Sequence, residues 1–331
     1  MTSPAPVWDL INGYAAYWAL HTAVELGLFE HLPATSAELA GATGVADPAD
    51  VTLLAQLLAA KGLLETDGER WSATPVSERF LTSESPATMT GLVRHSPGPK
   101  AGWAALADTL RAGRPSVEIR DALDALYPEL VAATAATQGA VARGVAAELR
   151  TRGLWDGSRL VVDLGCGSGA WLEALTADGA GGIGVDLAHV LPGALNRLAG
   201  GTVAFIAGDY LEVTIPPRRA GVVILAHVLR AEPADRAEAL FGRALDLLAE
   251  GGVLVVADYF RPADGALTQA CADAVHDVTL ALTMRASTLG RGLTETALAD
   301  WCAARGARTV AVVEPVPRQR VHLITLSGGS Q

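Results

Sequence analysis

One carboxylate, three glycines and the start of a helix stand together in the run Leu160-Val161-Val162-Asp163-Leu164-Gly165-Cys166-Gly167-Ser168-Gly169. Apolar, mostly β-branched residues lead to Asp163, glycines follow at alternate positions, and an apolar helical pattern opens at Ala170-Trp171-Leu172. That order predicts a buried strand, a tight turn and a helix N-terminus. Glycines admit positive φ and let the backbone approach a ligand, and the helix start offers free N–H groups. Two more carboxylates follow at the ends of later predicted strands. Asp186 can accept both hydroxyls of a ribose. In Gly208-Asp209-Tyr210 the acid can accept from an adenine amino group, and the ring can stack on the base. An Asp after a strand is often only a helix cap. Three such features at three successive strand ends, on one edge of one sheet, predict an adenosine-type cofactor site.

The elements that position these residues alternate. Predicted strands are 160–164, 182–186, 202–207, 221–226, 252–260, 308–313 and 320–326, with helices over 170–177, 191–198, 234–249 and 294–304; Leu240, Phe241, Ala244 and Leu248 form the buried stripe of the third helix. Strand–helix alternation predicts a mostly parallel, doubly wound sheet. The last two strands are joined by Glu314-Pro315-Val316-Pro317-Arg318-Gln319 only. A parallel crossover needs roughly a dozen residues, so this pair is expected to be antiparallel. The turn itself reads GxGxG, with Ala170 where the dinucleotide fingerprint has its third glycine, which argues for a cofactor without a pyrophosphate.

The N-terminal part is of another kind. Residues 7–32 carry Trp8, Ile11, Tyr14, Trp18, Val24 and Leu28, a helix apolar over much of its circumference that needs cover from its own domain or from a second copy. Thr35 and Glu38 have capping-box spacing, and Asp47-Pro48 opens the next helix, with Val51, Leu54, Leu57 and Leu58 on one face. Two short extended pieces joined by Asp67-Gly68 complete a winged-helix pattern. Its second helix opens with Asp47 and Asp50 and has one base, Lys61, at the far end, which argues against DNA binding. Between the two parts, residues 86–152 predict several helices separated at Pro97-Gly98-Pro99, Gly113-Arg114-Pro115 and Tyr127-Pro128. There Trp103, His95 and Tyr127 could face a ligand or simply pack.

Bulk properties narrow the function classes. A chain of 331 residues, 50% of them hydrophobic, can hold one large α/β core plus a smaller domain. The net charge of −11, with lysine at Lys61 and Lys100 alone, is wrong for a nucleic-acid or anionic-membrane partner. Three cysteines without CxxC spacing suggest neither a disulfide framework nor a metal cluster, and fit a reducing cytoplasm. No secretory signal or long apolar span is apparent, so a soluble cytoplasmic protein is expected.

On these motifs the chain resembles the small-molecule S-adenosylmethionine-dependent O-methyltransferases of plant and bacterial natural-product pathways. Asp163 through Gly169 resembles the family's first motif, Asp186-Leu187 its ribose motif, Gly208-Asp209-Tyr210 its adenine motif, and Gly251 through Asp258 its fifth strand with a terminal acid. The resemblance implies an α/β fold, a seven-stranded doubly wound Rossmann-like methyltransferase sheet with an antiparallel last strand, preceded by a mostly α winged-helix dimerisation domain. Domains are expected at 1–98 (winged helix), 99–154 (helical linker and pocket wall) and 155–331 (cofactor-binding domain). It implies S-adenosylmethionine or S-adenosylhomocysteine as cofactor, held by Asp163, Gly165, Gly167, Gly169, Asp186, Leu187, Gly208, Asp209, Tyr210 and Ala226. It further implies a homodimer formed through the N-terminal helices and a small hydrophobic substrate, with no metal.

The departure falls in the chemistry. The family's general-base His, in a His-Asp-Trp sequence after the fourth strand, corresponds to Arg230, followed by Ala231 and Glu232; the Glu that orients that His corresponds to Gly292. Of the expected catalytic groups only Asp258 remains. Arginine stays protonated and cannot serve as base, but it can clamp a carboxylate or phenolate or stabilise developing charge. Replacement bases are His227, placed one helical turn before Arg230, and His276 or Asp277 on a following helix. Either methyl transfer continues, with another base or by positioning alone, or the fold has been turned to cyclisation, hydroxylation or decarboxylation with the cofactor retained as a structural or electrostatic element. A binding or regulatory protein is the third reading.

Overall fold

The computed structural model describes residues 2–95, 100–115, 119–215, 220–264 and 272–327. The chain forms two compact units, residues 1–96 and 97–331.

In the first unit α1 (Ala5–Glu25) and a 3₁₀ turn (Leu28–His31) precede β1 (Ala34–Thr35), α2 (Ser36–Thr43), α3 (Pro48–Ala60), β2 (Leu64–Thr66), β3 (Arg70–Ala73), α4 (Pro75–Phe80) and α5 (Thr90–His95). The capping box is formed: Glu38 N–H donates to Thr35 Oγ1 at 3.2 Å, and Thr35 N–H donates to Glu38 Oε2 at 2.8 Å. Asp47 caps α3 by accepting from the Ala49 N–H at 2.9 Å. The predicted hairpin is present, and β1 adds a third strand in the order β1-β3-β2. At two residues β1 is too short to leave an alternating pattern in the sequence. Leu28, Leu39, Ala55 and Leu58 are buried in the core of this unit, while Val7, Trp8, Leu10, Ile11 and Tyr14 of α1 remain exposed.

The second unit opens with α6 (Lys100–Ala104), α7 (Leu106–Ala112) and α8 (Ile119–Thr151). The break expected at Tyr127-Pro128 does not occur; α8 runs through it for 33 residues. A proline inside a helix costs about 3 kcal/mol, and here it is outweighed by Val141, Val145 and Leu149, buried against the sheet further along the same helix. The remaining elements are β4 (Val161–Leu164), α9 (Ala170–Thr176), β5 (Gly182–Asp186), α10 (Leu191–Arg197), β6 (Val203–Ala207), β7 (Ala220–Ala226), a 3₁₀ turn (Leu229–Ala231), α11 (Ala234–Asp246), β8 (Leu248–Asp258), α12 (Ala272–Ser287), α13 (Glu295–Ala304), β9 (Ala307–Val316) and β10 (Gln319–Leu326). Helix α11 ends earlier than predicted, and Leu248 belongs to β8, where it faces Ala220 of β7.

The seven strands lie in the order β6-β5-β4-β7-β8-β10-β9, with β10 antiparallel to both neighbours and the other described pairings parallel. One face of the sheet packs on Leu240, Phe241 and Ala244 of α11 and Leu298 of α13. The other packs on α8 and on Trp171, Leu172 and Leu175 of α9. Helices on both faces leave the C-terminal edge of the parallel strands open for a ligand. No helix among the described residues is long and apolar enough to cross a membrane.

Candidate functional site

The glycine turn leaves β4 at Gly165, where φ is +83° and a Cβ would stand 2.3 Å from Val228 Cγ1, so a side chain is excluded there on two counts. Gly169, also left-handed, is the N-cap of α9. Asp186 locks the turn from the next strand: its Oδ2 accepts the Gly167 N–H and its Oδ1 the Leu187 N–H, both at 2.8 Å. Burial raises the Asp186 pKa, opposed by these two N–H groups. Asp163 lies beneath, 1% exposed, with no hydrogen-bond partner for either carboxylate oxygen among the described residues. Burial, and then the charge of Asp186, hold its pKa well above the usual carboxylate range.

At the end of β6, Gly208 donates its N–H to Asp186 O at 2.9 Å. Asp209 accepts from its own turn, at the Leu211 N–H, and from Arg236 Nη2 at 2.8 Å. Arg236 Nε in turn donates to Glu232 Oε2 at 2.7 Å, and Glu232 also accepts from the Tyr210 hydroxyl. Arg236 and Glu232 were not anticipated; their one mark in the sequence is an acid and a base four residues apart at the start of α11. Ala226, partly buried, closes β7 opposite Ala257.

Beyond Ala226 the remaining chemistry gathers. His227 is not on a helix, as its spacing from Arg230 suggested: it has φ +60°, donates its N–H to Ala257 O at 2.8 Å, and precedes the 3₁₀ turn that carries Arg230. A left-handed non-glycine residue is strained and persists only where its surroundings enforce it. His227 Nδ1 stands 3.6 Å and Arg230 Nη1 3.4 Å from the same oxygen, Asp258 Oδ1, at the end of β8. Neither His227 ring nitrogen, nor Arg230 Nε or Nη1, has an aligned hydrogen bond among the described residues. Burial, and then the Arg230 charge, lower the His227 pKa, so the imidazole is neutral at physiological pH.

Tyr259 forms the centre of this group. The His227 ring is 5.3 Å from it, the Arg230 guanidinium covers it at 5.3 Å, and His276 of α12 meets it edge-on at 5.1 Å. The four residues expected to carry catalysis, His227, Arg230, Asp258 and His276, thus surround one tyrosine that the sequence did not single out. Asp277, next to His276, is buried, and burial raises its pKa. Gln319, 4% exposed at the start of β10, lies against both His227 and Tyr259. Its approach has no local sequence signal because it depends on the antiparallel insertion of β10. Trp103 lies on α6, and His95 ends α5 in the first unit. The Tyr127 side chain and the Pro97-Gly98-Pro99 segment lie outside the described residues.

An adenosyl cofactor fits the first half of this site. A cradle closed to side chains, a carboxylate holding the turn, and a buried acid with both oxygens unsatisfied are what a ligand bearing hydroxyl and ammonium donors would complete.

Comparison with known proteins agrees. Residues 8–83 match the O-methyltransferase dimerisation domain, and residues 134–312 match a methyltransferase domain. The chain is 32% identical to the N,N-dimethyltransferase OxyT of Streptomyces rimosus, over 82% of this chain and 80% of that protein. It is 28% identical to the tetracenomycin polyketide synthesis 8-O-methyl transferase TcmO of Streptomyces glaucescens, over 94% of each. Human N-acetylserotonin methyltransferase, solved in complex with SAM, shares the fold with a TM-score of 0.80 at 21% identity, over 97% of both chains. The chain belongs to the S-adenosylmethionine-dependent O-methyltransferase family, in which a dimerisation domain is followed by a Rossmann-like methyltransferase domain.

Proposed function

We propose that this protein methylates a hydrophobic natural-product acceptor in antibiotic biosynthesis, with His227 accepting the acceptor's proton and Arg230 holding an anionic or carbonyl oxygen of the same molecule. The observation that carries the reading is the buried His227–Asp258 pair: a neutral imidazole with Nδ1 turned to a carboxylate 3.6 Å away and its other nitrogen without a partner. A base oriented by an acid is the arrangement general-base catalysis requires, and such contacts tighten when substrate binds. The relatives OxyT and TcmO, a dimethyltransferase and a polyketide O-methyltransferase of Streptomyces, support the substrate class.

When bound, S-adenosylmethionine supplies a methyl group on a positively charged sulfur. Asp186 and Leu187 would hold its ribose, Asp209 and Tyr210 its adenine, and Asp163 with the turn at Gly165, Gly167 and Gly169 its remaining polar groups, beside Gly208 and Ala226. His276 stands on the far side of Tyr259 as the alternative base. Residues 8–83, with the exposed apolar face of α1, support a homodimer.

The Arg230 guanidinium favours one second reading, catalysis without transfer, in which its unpartnered N–H groups polarise a carbonyl or carboxylate during cyclisation, hydroxylation or decarboxylation. The two are separated by incubating the protein with S-adenosylmethionine and a panel of phenolic and amino polycyclic polyketides. Methyl transfer adds one methylene in mass with equimolar S-adenosylhomocysteine, and His227→Asn slows it by about 10²–10⁴-fold. Product formed without S-adenosylhomocysteine establishes the second reading.

A further inference from the structure

The loop that follows β6 is held from α11 at both of its ends. Arg236 Nη2 donates to Asp209 Oδ2 at 2.8 Å, and two turns further along the helix Arg243 donates from Nη1 to Leu211 O at 3.2 Å and from Nη2 to Val213 O. Arg236 also donates from Nε to Glu232 Oε2 at 2.7 Å, and the other oxygen of Glu232 accepts from the Tyr210 hydroxyl. Tyr210 follows Asp209 in the chain, so these bonds close a ring through Asp209, Arg236, Glu232 and Tyr210. Burial, and then the bond to Glu232, push the Tyr210 phenol up, so it keeps its proton and donates it.

Nε and Nη2 lie on one edge of a planar guanidinium, a fork that can meet two oxygens at once. In Arg236 that fork is divided between two carboxylates, so each limits how the other can turn. The ring is anchored as well. Leu240, Phe241 and Ala244 of the same helix are buried against the sheet, and Glu232 closes the 3₁₀ turn of Arg230, its N–H donating to Leu229 O at 3.3 Å. The Arg236 side chain itself is 32% exposed, and ion pairs of that exposure add little to stability.

We propose that Arg236 is a positioning residue for base recognition, which turns the Asp209 carboxylate toward the adenine amino group of the cofactor. The inference rests on the reading of Asp209 as the adenine acceptor. A carboxylate has about four lone-pair sites, so acceptance from Arg236 and from the Leu211 N–H does not exhaust it. With Oδ1 on Leu211 and Oδ2 on Arg236, the carboxylate plane is set from both sides before a ligand arrives. Without Arg236 the plane can swing about the Leu211 contact, and ligand binding must supply the order.

Calorimetric titration with S-adenosylhomocysteine tests this through a double-mutant cycle and needs no acceptor substrate. Asp209→Asn keeps the turn at Leu211 and loses the charge shared by Arg236 and the base, and is expected to weaken binding by about tenfold or more. Arg236→Met removes the clamp, keeps the aliphatic stem, and is expected to weaken binding by about three- to tenfold. In the Asp209→Asn background the same Arg236→Met change is expected to move Kd by less than about twofold, because the carboxylate it positions is gone. Costs that multiply in the double variant, or a Kd unmoved by Arg236→Met, overturn the proposal and leave Arg236 a support of the loop. Asp209→Asn that binds as tightly as the wild type overturns the adenine reading and the proposal with it, so the two failures are told apart. Arg236→Lys, which keeps the cation and loses the divided fork, takes the place of Arg236→Met in the cycle if that variant does not fold.

Discussion

Gly292 packs so closely on Ala281 that a Cβ on the glycine would stand 2.7 Å from the alanine Cβ, with the glycine backbone left-handed at φ +75°. Its N–H donates to Arg230 O at 3.2 Å, so the segment carrying Gly292 is tied to the turn carrying Arg230. By its resemblance to the family's sequence pattern, position 292 corresponds to the glutamate that orients the family's base. The contact with Ala281 leaves no room for that acid at 292, and the carboxylate that does stand by this turn, Asp258, lies 3.4 Å from Arg230 Nη1 and 3.6 Å from His227 Nδ1.

Restoring the glutamate is predicted to harm the fold. Gly292→Glu must overpack α12 and strain a left-handed position, a combined cost of about 2–4 kcal/mol. Arg230→His adds no bulk, keeps a group that can face Asp258, and costs less than that. Urea unfolding of the two variants checks this, and equal midpoints would mean that position 292 has room for the acid.

The pH dependence of the reaction follows from the direction of the His227 shift. Burial and Arg230 lower its pKa, so the native imidazole stays neutral below the ordinary histidine value of about 6.5. The acid limb of kcat/KM should lie below that value, with Arg230→Met moving it upward by removing a neighbouring positive charge. Stability responds to the same proton. Between about pH 6.5 and the lower native value, the unfolded chain binds a proton that the native chain does not, so this contribution declines as pH falls through that window. Rate profiles and thermal melts over that range measure both.

Cofactor affinity should depend on Asp186 twice over. Its oxygens accept from Gly167 and Leu187, and the proposed ribose hydroxyls use their remaining lone pairs. Asp186→Ala then loses charge-assisted bonds worth about 1.5–3 kcal/mol each and also frees the turn. Calorimetry with S-adenosylhomocysteine should show a loss of at least about tenfold. An unchanged Kd would exclude the ribose role.

Most of the second unit was legible in the sequence because its strands are continuous apolar runs punctuated by glycine and aspartate. Val161–Leu164 and Gly182–Asp186 are buried on both faces, and burial on both faces is what leaves such runs. The half of the site at successive strand ends was legible for the same reason: Asp163 and Asp186 each close a run. The half around Tyr259 was not. Gln138 and Gln319 are 181 positions apart and meet only because β10 enters the sheet beside β8. The positive φ of His227 likewise follows from its surroundings, since histidine does not demand it. Tyr127-Pro128 does not break α8, because packing along the rest of that helix outweighs the local cost of the proline.

The exposed face of α1 carries an assembly prediction. Trp8 and Ile11 are 56% and 52% exposed within the matched dimerisation domain. Ile11→Glu places a charge on that face and should shift the mass measured by light scattering from two chains toward one. A wild type that is already a single chain would rule out this interface.

Asp163 ties stability to function with opposite signs. Its carboxyl pKa is raised by burial and by Asp186, so the native chain retains a proton that the unfolded chain has released above the ordinary value of about 3.9. Through the window from there up to the raised native value, native stability must fall as pH rises. Asp163→Asn keeps the shape, cannot ionise, and removes that penalty. At neutral pH the variant should be more stable than the wild type, and the gain should vanish near pH 4. The same substitution replaces an acceptor by an amide that must also find a partner in the buried site, so binding of S-adenosylhomocysteine should weaken. Paired melts at both pH values and a titration of the variant test the two halves together. A variant that binds as well as the wild type would leave Asp163 a purely structural acid, and one destabilised at neutral pH would mean that the carboxylate has a partner in the folded chain.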